Sequence, residues 1–227
     1  MSNKQKAKIK CAHCGHESEQ DFWVSINADM NPEIKEKLIN GELFRHVCEK
    51  CGKESVLDYP VLYHDMTNRA MVYYIIEDTV EEVEGYFNEV EKDLGVTMEG
   101  YRKRIVTDLN ALREKAIIFD NGLDDRLIEL IKFFSFVEAA QKHQDKNVVH
   151  VYFAVIDGEL LLEFIADEPF YYKVSKEFYE HYEKVFGPYL PEDVNENMVV
   201  DVAWALDFLE KVKPEGMGET AEADAEA

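Results

Sequence analysis

An α+β fold follows from three features of this 227-residue chain. Residues 1–76 are dominated by short β-branched and aromatic runs, residues 77–145 carry apolar side chains at helical spacing, and residues 146–212 open with two apolar runs joined by Asp157-Gly158. With 46% hydrophobic and 32% charged residues, the chain can bury the core of one large or two small domains.

Taken in order, Phe22, Val24, Ile26 and Ala28 alternate with polar neighbours and predict a strand over Phe22–Asp29. Asn31 as cap, Pro32 at the first turn and Gly41 as stop then bracket a helix over residues 32–40. Leu43–Val47, Val56–Tyr63 and Ala70–Ile76 read as strands, Pro60 confining the middle one to an edge or bulge. From Glu77, residues Val80, Val83, Tyr86 or Phe87, Val90 and Leu94 recur at three and four residues as one helical face, and Gly95 ends it. Further helices are expected over Glu99–Phe119 and Leu123–Lys142, with Asp124 and Asp125 in the first turn of the second. Val148–Ile156 and Glu159–Ala166 make a hairpin, since Asp157-Gly158 suits the positive φ angles of a type I′ turn. A strand near Phe170–Val174, a helix capped by Ser175 and stopped at Gly187-Pro188, and a last helix from about Asn195 follow. The acidic, alanine-rich stretch over residues 213–227 has too little apolar surface to order itself and is expected to be disordered.

The net charge is -22, and it is uneven: residues 1–75 hold 10 Lys/Arg against 11 Asp/Glu, leaving nearly all the excess acid downstream. Such a chain repels phosphate backbones at long range, so nucleic acid is not an expected partner. No apolar run approaches the ~18 residues of a membrane span, and Lys4, Lys6, Lys8 and Lys10 run straight into a cysteine without the apolar segment of a secretion signal. A cytoplasmic protein with no membrane partner is expected.

All four cysteines lie in two copies of one pattern, Cys11-Ala12-His13-Cys14-Gly15 and Cys48-Glu49-Lys50-Cys51-Gly52. A two-residue spacer lets both sulfurs of a pair face one cation, and the glycine lets backbone amides turn toward the thiolates. Disulfides would be at odds with the cytoplasm. A thioredoxin-like redox pair would need a helix behind it rather than strands. An iron–sulfur cluster could also use four cysteines, but symmetric paired knuckles favour one structural zinc ion held by Cys11, Cys14, Cys48 and Cys51. The pairs are 33 residues apart, more than the roughly 15 to 20 of a simple zinc ribbon. The extra length is the Phe22 strand and the short helix, so the fold class is an elaborated four-cysteine zinc ribbon with antiparallel strands, followed by helices and a C-terminal hairpin-plus-helices region.

The stretches Lys10–His16, Phe22–Asp29, Phe44–Gly52 and Tyr59-Pro60-Val61-Leu62-Tyr63-His64-Asp65 together resemble the bacterial CpXC family, and Ile117–Arg126 looks like its downstream helical part. The resemblance spans about residues 8–142. Ala12 and Glu49 stand where the family's name has proline, a position that is not a ligand. The resemblance implies a zinc-binding domain and no particular activity.

Other residues offer chemistry of lower specificity. His64 beside Asp65 could act as a base, but neighbours on a strand face opposite ways and no nucleophile motif accompanies them. His13, His16 and His46 flank a ligand set that the cysteines already complete. Asp120, Asp124 and Asp125 could gather a hard cation, although helix capping accounts for them. The leading expectation is a noncatalytic interaction or regulatory module with a protein partner or self-association; the helices Leu123–Ala140 and Met198–Leu209, apolar around most of their circumference, are expected as central core helices, with a partner or dimer surface as the alternative. Two alternatives are a nucleic-acid-binding ribbon using Lys4–Lys10, Lys50 and Lys53, and an enzyme whose pocket, between the zinc and C-terminal parts, uses His64 or Asp125.

Overall fold

The computed structural model describes residues 2–76, 79–80, 82–85, 87 and 98–212. The chain forms two compact units, one of residues 1–122 with 194–199, the other of residues 123–193 with those from 200 onward. No helix among the described residues is long and apolar enough to cross a membrane.

The first unit is built on a five-stranded sheet. Its strands are β1 (Asn3–Lys10), β2 (Glu17–Asn27), β5 (Val61–Asp65), β6 (Ala70–Tyr74) and β7 (Arg102–Val106), lying side by side in that order. β1 and β5 run antiparallel to β2 and β6 respectively, while β2–β5 and β6–β7 are parallel. Parallel neighbours need a long crossover. The first crossover carries α1 (Pro32–Ile39) and a separate hairpin of β3 (Arg45–Val47) and β4 (Glu54–Val56); in the second, residues 80, 82–85 and 87 are helical. The remainder of the helix expected from Glu77 to Gly95, and the tail from residue 213, lie outside the described residues.

Pro32 opens α1 and Gly41, at φ +70°, lets the chain turn away after it. Asn31 does not cap through its side chain, which reaches forward to Glu33 instead. Ile34 and Leu38 bury the inner face of α1, which packs on β2 and on α2 (Leu109–Asp120). β5 and β6 sit in the middle of the sheet, with Val61, Tyr63 and Val72 fully buried.

The first unit departs from the sequence pattern at three places. The lysine-rich start is a strand: its lysines lie opposite the acids of β2, Lys8 against Glu19 and Lys10 against Glu17 in register, and Lys4 and Lys6 form ion pairs with Asp21 and Glu19. The run expected as one strand over Val56–Tyr63 is split into β4 and β5 around Pro60, which has no amide to offer a ladder. The helix expected over Glu99–Phe119 starts only at Leu109, where Asp108 accepts the amides of Asn110 and Ala111; Arg102–Val106 instead pairs with β6. Pairing and burial at the sheet edge override a three-and-four spacing that fits a helix equally well.

The second unit contains α3 (Asp125–Lys142), a sheet of β8 (His150–Ile156), β9 (Glu159–Ile165) and β10 (Phe170–Lys173), then α4 (Lys176–Phe186) with a 3-10 turn at Gly187–Tyr189, and α5 (Val202–Lys211). Asp157 and Gly158 take φ +53° and +79°, as a type I′ hairpin turn requires. Ser175 caps α4 by accepting the amide of Phe178. Leu127, Leu130, Phe186, Trp204 and Phe208 form the apolar core between α3, α4 and α5.

The last helix begins at Val202, capped by Asp201, and not near Asn195. Residues 194–199 before it belong to the first unit. The Asn195 side chain takes the Lys103 amide at 2.7 Å and donates to the Tyr101 carbonyl at 2.8 Å, and the Ile105 amide donates to the Met198 carbonyl.

Candidate metal centre

Each cysteine pair occupies the tip of an antiparallel hairpin. Cys11 to Gly15 lies between β1 and β2, whose last register pair is Lys10–Glu17; Cys48 to Gly52 lies between β3 and β4, closed by Val47–Glu54. The two tips share one backbone pattern. The Cys11 amide donates to the His16 carbonyl and that of Gly15 to the Cys11 carbonyl, and Cys48–Lys53 and Gly52–Cys48 repeat these bonds at 2.8–2.9 Å. Gly15 and Gly52 stand at φ +69° and +67°, which explains the glycine after each pair.

The four sulfurs, one atom from each cysteine, lie within 4.8 Å of one another. Across the hairpins, Cys11 Sγ is 3.8 Å from Cys51 Sγ and Cys14 Sγ is 3.7 Å from Cys48 Sγ. A disulfide would bring sulfurs to about 2.05 Å, and the cysteines are free. A tetrahedron with metal–sulfur bonds of about 2.3 Å has edges of about 3.8 Å, which the two cross-hairpin distances match, so the four sulfurs could hold a metal ion. Among the described residues, no other His, Cys, Asp and Glu side chains converge this closely in groups of three or more.

Local hydrogen bonds divide the thiols. Amides of Cys51 and Lys50 donate to the Cys48 sulfur and draw its pKa down to about 6, against the effect of its burial. Cys14 also receives an amide, from His16, but burial and the three neighbouring sulfurs outweigh it and push it up to about 11. Four thiols this close cannot all ionise without a cation, and metal capture would expel the remaining protons.

The histidines near the cysteines are not in the cluster. His13 is exposed, His16 half-buried, and His46 is 8% exposed on β3. Lys50 and Lys53 are exposed around the second tip.

His64 is half-buried on β5 with its Nε2 3.3 Å from the Tyr101 hydroxyl, and burial lowers its pKa, so the ring is neutral. Asp65, facing the other way, is 1% exposed and fully engaged. Its carboxylate accepts the Asn68 amide and side chain, the Tyr63 hydroxyl and Lys35 Nζ, at 2.8–3.0 Å. Lys35 reaches the Asp120 carboxylate as well, at 2.5 Å, and Asn68 donates to the same Asp120 oxygen at 2.8 Å. Asp120 is therefore joined to Asp65, whereas Asp124 caps α3 and grips the Arg126 guanidinium, and Asp125 is buried in the first turn of α3. The three aspartates expected as one possible cation site serve different local purposes.

The Lys35–Asp65–Asp120–Asn68 cluster has no signature in the sequence. It ties α1, the β5–β6 turn and the end of α2, which come from segments 30 and 85 residues apart. Lys35 carries opposing influences: burial lowers its pKa, and Asp120 and Asp65 more than restore it, so it is charged.

A family model described as CpXC protein matches residues 9–132, more than half of the chain. Neither curated proteins nor solved structures gave a match.

Proposed function

The chain belongs to the CpXC family, and from that premise we propose that Cys11, Cys14, Cys48 and Cys51 hold one structural zinc ion in a cytoplasmic protein that acts as a noncatalytic interaction or regulatory module. The observation that carries this reading is the sulfur geometry, with edges of 3.7 and 3.8 Å between two matching hairpin tips. Bound zinc would supply a redox-inert cross-link, since four thiolates complete its sphere and leave no position for a substrate or an activated water. The chain's own part is to present two preformed bidentate tips and to direct backbone amides at the sulfurs.

The surroundings of the cage favour a structural role. His64 is held by Tyr101, and Asp65 is saturated by four donors. The lysines that would serve nucleic acid are largely spent on β2: Lys4 and Lys6 are paired with Asp21 and Glu19. Native mass spectrometry of protein purified without a metal-binding tag tests the reading. One zinc per chain, lost in Cys48→Ser, is the expected result. Native-folded protein without metal, or turnover in a substrate screen that survives zinc loading and is lost on changing a polar residue outside the cage, would overturn it.

A further inference from the structure

A groove of about 390 Å³ within the first unit is walled by the β1–β2 hairpin on one side and by α1, β3 and the chain after β4 on the other. Its size matches pockets that take a small ligand or one or two side chains of a peptide. Most of its lining is polar or charged, with Trp23, Ile34, Leu43, Leu57 and Tyr59 supplying the apolar part. Tyr59 is fixed between Phe22 and Phe44, with ring centroids 4.9 and 5.0 Å away, so this wall is rigid. His46 opens into the same groove. It is 8% exposed, and its ring has no hydrogen-bond partner among the described residues.

The charges around the opening are not balanced pair by pair. Lys4 and Lys6 are neutralised by Asp21 and Glu19 within the β1–β2 wall. Lys37 has no ion pair among the described residues. Arg45 donates from Nε to the Gly41 carbonyl, and the carboxylate it meets, Glu54, is 3.8 Å away with both side chains more than half exposed. Glu42 is the one remaining carboxylate of the lining. With four cations against three carboxylates in its lining, the groove is net positive by one charge, which favours an incoming carboxylate over a lysine or arginine, and a wholly apolar group would strip water from these charges without compensation. All the lining residues lie between positions 4 and 59, ahead of the acid excess beyond residue 75.

We propose that this groove binds an acidic peptide segment of a protein partner. A carboxylate side chain is held by Lys37 and Arg45 with a hydrogen bond from His46, and a neighbouring aromatic or aliphatic side chain lies on Trp23 and Tyr59. The inference rests on the reading of the protein as an interaction module and names the partner chemistry for it.

Selection from a random short-peptide library displayed on phage, with the full-length zinc-loaded protein as bait, tests the proposal. The expected outcome is enrichment of peptides that place Asp or Glu beside an aromatic or aliphatic residue. A synthetic peptide of that pattern should bind about tenfold more weakly to Lys37→Glu/Arg45→Glu, with zinc content unchanged. No enrichment, enrichment of basic peptides, or preferential binding of a short oligouridylate would overturn it. Peptides whose binding survives the double substitution would also remove the groove, yet leave the interaction reading standing. That reading fails separately, on metal content or turnover.

Discussion

Lys35 shows how one side chain can hold three segments together. Its ammonium, 21% exposed, sits between Asp65 and Asp120. Replacing the Asp65 carboxylate by an amide leaves a half-buried cation with one charged partner fewer and turns one of two fully engaged acceptor oxygens into a donor facing the Asn68 amide or the Lys35, Tyr63 and Asn68 side-chain donors. Asp65→Asn should cost about 3 kcal/mol, measured by urea unfolding, while conserving the metal content. The pH response has a definite sign. Burial would raise the Asp65 pKa, but the Asn68 amide, Lys35 and Tyr63 prevail and hold it below the usual carboxylate range. A depressed native pKa gives stability that is complete above the unfolded value of about 3.9 and is lost as pH falls through the native one. Urea midpoints of the parent chain should therefore fall more steeply below about pH 4 than those of Asp65→Asn; parallel curves would refute this assignment. The cysteine ligands are legible in the sequence because the chemistry is local, two residues per spacer. The aspartate–lysine cluster is not, because its members meet only once α1 and α2 have packed, and a lone Lys or Asp carries no spacing signal.

At the scale of elements, strands paired with distant partners are the hardest to read. The β8–β9 hairpin is legible because Asp157-Gly158 specifies its own turn, and α4 because Ser175 supplies its own cap. β1 and β7 have no such local mark. The lysines of β1 suggest no strand until the acids of β2 are set against them, and β7 depends on pairing with β6 across residues 75–101. The matched tips of the two metal hairpins make a sharper prediction. Alanine at Gly15 or Gly52 meets no steric obstacle, since an added Cβ would find only Lys10 Cε at 3.7 Å in the first case and nothing within 4 Å in the second. The whole cost is then the left-handed backbone, about 1–2 kcal/mol per site. Gly15→Ala and Gly52→Ala should bind zinc more weakly by similar factors in chelator competition, and a loss at one site alone would show that the tips are not equivalent.

For the whole molecule, two cores imply two partly separate fates. Met71, Ile75 and Ile105 belong to the first unit and Leu127, Phe186 and Trp204 to the second. The two tryptophans are divided in the same way: Trp23 lies on β2 beside the groove and Trp204 is buried in α5. Chelation of zinc should expose Trp23 to acrylamide quenching while Trp204 stays protected, because structural zinc contributes binding energy comparable to the stability of a small domain. Equal exposure of both would mean that the units unfold as one. That residues 194–199 complete the first unit is not legible in local pattern, since Asn195 finds its bonds on Tyr101 and Lys103, more than ninety positions earlier.

The 33-residue interval between the cysteine pairs has a further consequence. Closing a flexible loop costs entropy that grows only with the logarithm of its length, so each doubling adds about 0.6 kcal/mol. Relative to the roughly 15 to 20 residues of a simple ribbon, this metal-closed loop is about one such doubling longer, a small loss beside the energy of four thiolate bonds. That interval holds α1, and with it both Lys35, which clamps the sheet to α2, and Lys37, which faces the groove. A metal cross-link thus lets a ribbon accommodate an insertion at little thermodynamic penalty, and the insertion is free to diversify between its two anchored ends.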